Sequence, residues 1–373
     1  MRPVAGVVAL VTAVLVAAAC SNSGAARSTE PRRAKIGFIF VGTRDDLGYN
    51  QAAWEGSEAV AKAFPDHEVL RQERVPETDS ALTAMEAMVA HGAGVIFATS
   101  FGHLRYAYEL ARRHPDVIVV HEGGNEPTPR LDNFGTYWAT VYERVYQAGI
   151  AAGAATKTGK IGFVVAFPIP ATFANVNAFA LGARSVRPDA TTTVVFTKDW
   201  CQPELQADAA KRLLALGADV LTQHQDCTRT ILQAAEAGGA ATVGYHADGS
   251  EVAPRAWLVG TVWDWKPLFI DITRTALLGQ FRTSKYNGDF RGSLRGGNNP
   301  FILTDFGPKV SPATQALITA AAERFRAGGS PFSGPLADRD GRPRVAADAT
   351  PTAAEVDRMD YFVAGVIGDV PAP

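Results

Sequence analysis

The residues with chemistry to offer cluster in short loops that follow apolar runs. Arg44-Asp45-Asp46-Leu47-Gly48-Tyr49-Asn50 follows the run Lys35–Val41, and Ser100-Phe101-Gly102-His103 follows Val95–Thr99. Later come Phe167-Pro168-Ile169-Pro170, Asp199-Trp200-Cys201, His224-Gln225-Asp226-Cys227, His246-Ala247-Asp248 and Thr261-Val262-Trp263-Asp264-Trp265-Lys266. Rings stack on the faces of a flat molecule, while carboxylates accept hydrogen bonds from its edge, so these loops suit a planar, polar-edged small molecule. Ser100, Phe101, Phe167 and Asp226 are candidate contacts on that ground.

Catalysis has no comparable support. A phosphate-cradling GxxxxGK[ST] loop, a GxSxG elbow, an HExxH pair and a GxGxxG turn after a strand are all missing from the sequence. The seven histidines are dispersed, and His224 and His246 read as polar cleft lining or structural hydrogen-bonding groups before they read as metal ligands. Asp226 and Asp248 could pair for acid–base work, but nothing supplies a nucleophile beside them. The chain reads as a binding protein with no enzymatic activity, no cofactor and no metal.

The elements that must hold these loops alternate. Buried β-rich runs at Lys35–Val41, Val95–Thr99, Val117–Val120, Lys160–Val165, Thr191–Phe196, Val220–Thr222 and Ala241–Tyr245 are separated by helical-period stretches at Gln51–Phe64, Ala81–His91, Leu104–Arg113, Val141–Ala155, Thr172–Val186, Pro203–Leu216 and Thr228–Ala237. Strand, helix, strand in this order predicts α/β architecture with parallel sheets, and the restart at Lys160-Ile161-Gly162-Phe163 predicts two doubly wound lobes joined by a hinge. The first lobe is expected to take 34–139 and the second 140–257, with parts of 258–373 shared between them. Ligands of such sheets bind beyond the carboxyl ends of the strands, where the singled-out loops lie.

Composition narrows the partners. Thirty-six basic against thirty-eight acidic residues leave no basic face for nucleic acid. Residues 1–19 carry one charge, Arg2, before an apolar run shorter than the ~20 residues of a membrane span, and read as a signal peptide. Ala17-Ala18-Ala19-Cys20 has the small residues of a bacterial lipobox, so Cys20 is the expected acylation site, anchoring the chain to the cell membrane outside the cytoplasm; 20–33 reads as a tether. Export permits a disulfide between the remaining Cys201 and Cys227, since each follows one of two successive strands expected to be neighbours; two buried thiols are the alternative.

The segment Asp46-Leu47-Gly48-Tyr49-Asn50 through Trp54-Glu55-Gly56 resembles the basic membrane protein family, the Med or PnrA-like lipoproteins of ABC importers. Further matches are Tyr146-Gln147-Ala148-Gly149, Asn177–Ala183, Gly217-Ala218-Asp219-Val220 and Phe332–Gly341. The resemblance implies a type I periplasmic-binding-protein fold, a purine-like ligand, a permease partner and a monomer. It places Tyr49 and Trp200 as opposed stacking rings and Asp46 and Asn50 as readers of the base edge. Where the family has two aspartates, this chain has His246 and Asp248; where it has a lysine, this chain has Trp265, with Lys266 one place on. Both changes fall on the part that would hold a ribose, which favours a free base. A ligand-sensing surface lipoprotein partnering a receptor, or a site for a non-purine flat solute, is the alternative.

Overall fold

The computed structural model describes residue 1, residues 35–124 and residues 127–371. The expected signal peptide, Cys20 and the tether lie outside the described residues. In chain order the first elements are β1 (Lys35–Ile39), α1 (Tyr49–Ala63), β2 (Val69–Gln72), α2 (Asp79–Ala90), β3 (Ala93–Ala98), α3 (Leu104–Arg113), β4 (Ile118–Glu122) and β5 (Phe134–Ala139). Then follow α4 (Val141–Ala155), β6 (Lys160–Val165), α5 (Pro170–Val186), β7 (Thr191–Phe196), α6 (Pro203–Ala215), β8 (Val220–His224), α7 (Arg229–Gly238), β9 (Ala241–His246) and β10 (Trp257–Trp263). The last third holds α8 (Lys266–Leu277), β11 (Asp289–Gly292), β12 (Phe301–Leu303), α9 (Pro312–Arg326), the hairpin β13 (Leu336–Ala337) and β14 (Pro343–Val345), and β15 (Val366–Ile367).

Two sheets result, with strand orders β11-β5-β4-β3-β1-β2 and β12-β10-β9-β8-β6-β7-β15. Every pairing within them is parallel except β10 with β12. Strands such as β4 and β8 are buried along their whole length because helices cover both faces of a parallel sheet, and their polar residues fall at the carboxyl ends, toward the site. The chain passes between lobes three times: from β5 into α4, from β10 into α8, and from β11 to β12. Helix α8 packs on α1 of the first lobe, while α4 packs on α5 and α9 of the second.

One expectation of neighbourhood is corrected. β7 and β8 are successive in the chain but β6 lies between them, because the second lobe winds outward in both directions from β6. Their loops nevertheless meet over the end of β6: Cys201 and Cys227 are disulfide-bonded with Cα atoms 5.1 Å apart, and the Asp226 N–H donates to the Trp200 carbonyl at 2.8 Å. A sequence separation of 26 residues makes the bridge worth ~3 kcal/mol in the chain-entropy view. Replacing both cysteines by serine is therefore expected to lower stability by about that amount in urea unfolding. Thiol titration of the unfolded, unreduced protein should find neither Cys201 nor Cys227 free.

Candidate functional site

Loops at the carboxyl ends of both sheets enclose a cavity. Tyr49, Glu77, Ser100, Phe101 and Trp138 line it from the first lobe, and Ile169, Ala171, Trp200, His224, Asp226 and His246 from the second. Its free space is about 50 Å³, room for a few waters. A larger hollow of about 620 Å³ lies on the hinge face beside α8, lined by Asp271, Arg274 and Lys285 among others. Those charges are solvated, whereas the loops at the carboxyl ends of both sheets converge on the smaller cavity, which is therefore the candidate site.

Six of the sequence candidates meet in this cavity: Tyr49, Ser100, Phe101, Trp200, Asp226 and His246. The other six do not line it. Asp46 is committed to the start of α1, its Oδ1 accepting the N–H of Gly48 at 2.9 Å and of Gln51 at 3.0 Å, its Oδ2 that of Asn50 at 3.0 Å. Asn50 donates its Nδ2 to Asp46 at 2.8 Å and accepts the Gly42 N–H at 2.9 Å, so its amide is used within the same loop. Phe167 stands behind Trp200, ring centroids 5.1 Å apart. Asp248 is exposed and accepts the Ser250 N–H at 2.9 Å, an Asx turn that aims it away from the cavity. Trp265 immediately precedes α8 and turns into the core, stacked on Trp263 at 4.2 Å. Lys266 is exposed and pairs with Glu55 at 3.4 Å and Asp264 at 3.7 Å.

Glu77, Trp138, Ile169 and Ala171 escape sequence reasoning, and His224 carries only an open assignment. Trp138 sits on β5, whose Gly135 and Thr136 break the apolar run that marks the other buried strands. Glu77 follows β2, a half-buried edge strand with no periodicity to announce it. Its Oε1 accepts the Ser100 hydroxyl at 2.6 Å and the Gly102 N–H at 2.7 Å, which fixes the loop carrying Phe101.

The cavity is electrostatically muted. Burial raises the Asp226 carboxyl well above its ordinary range, helped by nearby carboxylates, and among the described residues no donor reaches its oxygens. Burial pushes His224 down to about 3 and His246 well below the ordinary imidazole value, the neighbouring His224 adding to the second effect. Trp263 donates its indole N–H to His246 Nδ1 at 2.9 Å, so the neutral ring carries its proton on Nε2 and offers a donor there. His246 holds a left-handed backbone at φ 68°, a strained conformation for a non-glycine residue at a site. Behind Tyr49, the fully buried Glu122 accepts the Tyr137 hydroxyl on one oxygen at 3.4 Å and interacts with the Tyr49 hydroxyl as well. Among the described residues no group of three or more His, Cys, Asp or Glu side chains could hold a metal ion.

Comparison with known proteins agrees with this architecture. A family model described as ABC transporter substrate-binding protein PnrA-like matches residues 33–288. A purine-binding protein of Brucella abortus is 31% identical over 351 residues, covering 93% of this chain and 96% of its own. A Haloferax volcanii protein, provisionally named an ABC transporter glucose-binding protein, is 30% identical over 297 residues, 80% of this chain and 73% of its own. Among solved structures, a solute-binding protein of an Aeropyrum pernix ABC transporter aligns with a TM-score of 0.70 at 16% identity, covering 79% of this chain and 92% of that one. One from Conexibacter woesei aligns at 0.64 and 21% identity, covering 79% and 97%. These two share the two-lobed fold.

Burial without a charged partner pushes the Glu122 carboxyl up to about 8 from its usual 4.5. Between those values the folded chain keeps a proton that the unfolded chain has lost, so stability falls as pH rises through that window and levels off above it. Glu122→Gln retains the shape and removes the titration. The variant should match the parent near pH 4.5 and gain on it by roughly 1 kcal/mol per pH unit up to about pH 8, read from urea midpoints. Parallel pH profiles would mean that Glu122 is ionised in the folded protein.

Proposed function

Because the chain belongs to the PnrA-like Bmp family of ABC transporter substrate-binding proteins, we propose that it carries a free purine-like nucleobase to a permease. The family delivers solutes and does not turn them over. The observation that carries the ligand class is the cavity itself: Tyr49 from one lobe and Trp200 from the other, with a buried Asp226 carboxyl that has no donor of its own. A flat base offers faces to the rings and an N–H to Asp226, restoring the hydrogen bond that burial took away. The purine-binding name of the Brucella abortus relative supports the same class.

A free base fits better than a nucleoside. The free space is about 50 Å³, His246 stands in place of a carboxylate, and Trp265 is packed away in the core. A sugar ring stacked on the aromatics is the second reading, favoured by the name of the Haloferax volcanii relative. Acylation at Cys20 would hold the protein, as a monomer, at the outer face of the cell membrane. Among the described residues no helix is long and apolar enough to cross it.

Calorimetry with nucleobases, nucleosides and glucose tests the proposal. A purine base should bind below millimolar and at least as tightly as its nucleoside; a nucleoside more than about tenfold tighter, ~1.4 kcal/mol, would overturn the free-base reading. Trp200→Ala should cost ~1–3 kcal/mol, the usual worth of a base on an aromatic platform. Binding of glucose alone, or an unaltered affinity in Trp200→Ala, would overturn the nucleobase reading.

A further inference from the structure

The turn Leu47-Gly48-Tyr49 belongs to the first lobe, yet it is seated on the loop Asp226-Cys227-Thr228 of the second. The Tyr49 backbone N–H donates to the Asp226 carbonyl at 3.1 Å, and the Thr228 hydroxyl donates to the Leu47 carbonyl at 2.5 Å. The Leu47 side chain packs against the apolar cluster of the second lobe that contains Leu221, Ile231 and Leu232. The approach is so close that a Cβ on Gly48 would lie 1.5 Å from the Asp226 carbonyl oxygen. A side chain therefore has no room at Gly48. Leu47 is held left-handed at φ 52°.

Both sides of this contact are braced within their own lobe. The first backbone amides of a helix have no intrahelical acceptor. Here Asp46 accepts those of Gly48, Asn50 and Gln51, which leaves Tyr49 as the amide that the other lobe satisfies. On the receiving side, Cys227 is bonded to Cys201 and the Asp226 N–H to the Trp200 carbonyl. None of these contacts needs a ligand.

We propose that Leu47, Gly48 and Thr228 form a latch that closes the lobes before ligand arrives. They are positioning residues: without lining the cavity, they hold Tyr49 opposite Trp200. A site that is already assembled binds with nearly its intrinsic affinity, because apparent affinity is reduced only by the fraction of molecules not competent to bind. The latch does not depend on which solute the cleft accepts.

Amide exchange followed by NMR on the full mature chain, unfolded and refolded free of bound solute with its disulfide intact, reads the latch directly. The Tyr49 amide should be protected in the ligand-free protein, and Thr228→Val should speed its exchange at least tenfold. The Asn50 and Gln51 amides, held by Asp46 inside one lobe, should keep their rates and so report that α1 is still folded. Gly48→Ala should shift the ligand-free small-angle scattering profile from the closed to an open shape. A Tyr49 amide that exchanges like a solvent-exposed one in the ligand-free parent, or that is indifferent to Thr228→Val, would overturn the proposal.

Discussion

Removing ionisable groups from water is the constraint on which this cleft depends. An unpaired carboxylate or imidazolium costs several kcal/mol to bury, and such groups shift their pKa and become neutral instead. Glu122, Asp226, His224 and His246 are all buried at or behind the cavity wall, and among the described residues no lysine or arginine lines it. The two acids are raised and the two bases lowered, so burial favours the uncharged form of all four. A neutral molecule with its own donors and acceptors is matched to such a wall, whereas an anion meets no counter-charge. Closure strengthens the match, since Asp226 and Trp200 come from one lobe and Tyr49 and Ser100 from the other.

How far the sequence speaks for this arrangement depends on the element. Long patterned runs declare themselves: Lys160–Val165, Leu104–Arg113 and Val141–Ala155 end where their patterns end, because a strand covered on both faces is apolar along its buried length and a covering helix is apolar on one side. Edge elements do not. The edge strands β2 and β11, and β5 beside β11, mix polar residues or glycine into short runs, and β11 reaches its partner β5 only after a crossing far along the chain. Trp138 and Glu77 were invisible for that reason. The order of β6, β7 and β8 was illegible as well, since adjacency in a doubly wound sheet is decided by which side each crossover takes and not by proximity in the chain.

Loop residues divide along a different line. A loop aromatic or acid after a buried strand can face a ligand or serve its own backbone, and only the local hydrogen-bond demand decides. Asp46 shows the second outcome: the amides at the start of α1 needed acceptors, and one carboxylate answers three of them. Asp248 closes its own turn likewise. Asp226 shows the first, because its backbone serves the neighbouring loop and the other lobe while its carboxyl is left over.

His246 and Trp265, the two positions where the resemblance implies an aspartate and a lysine, meet at one place in the structure. His246 and Trp265 both touch Trp263, the first through a 2.9 Å hydrogen bond to the indole and the second through a 4.2 Å stack. From Trp265 the stack continues to Phe269 at 5.6 Å, then to Phe97 at 4.9 Å and Phe38 at 4.4 Å, running into the core of the first lobe. An aspartate and a lysine at these two positions would have to offset each other or be offset by a polar ligand. Exchanging only one for a neutral ring would strand the other as a buried unpaired charge, which is more costly than losing the pair. Exchanging both turns the polar rim of the cleft into a continuous aromatic seam, with a single imidazole donor at its outer end. That seam joins strand β10 and helix α8, which carry the chain from the second lobe back to the first, to the wall of the site.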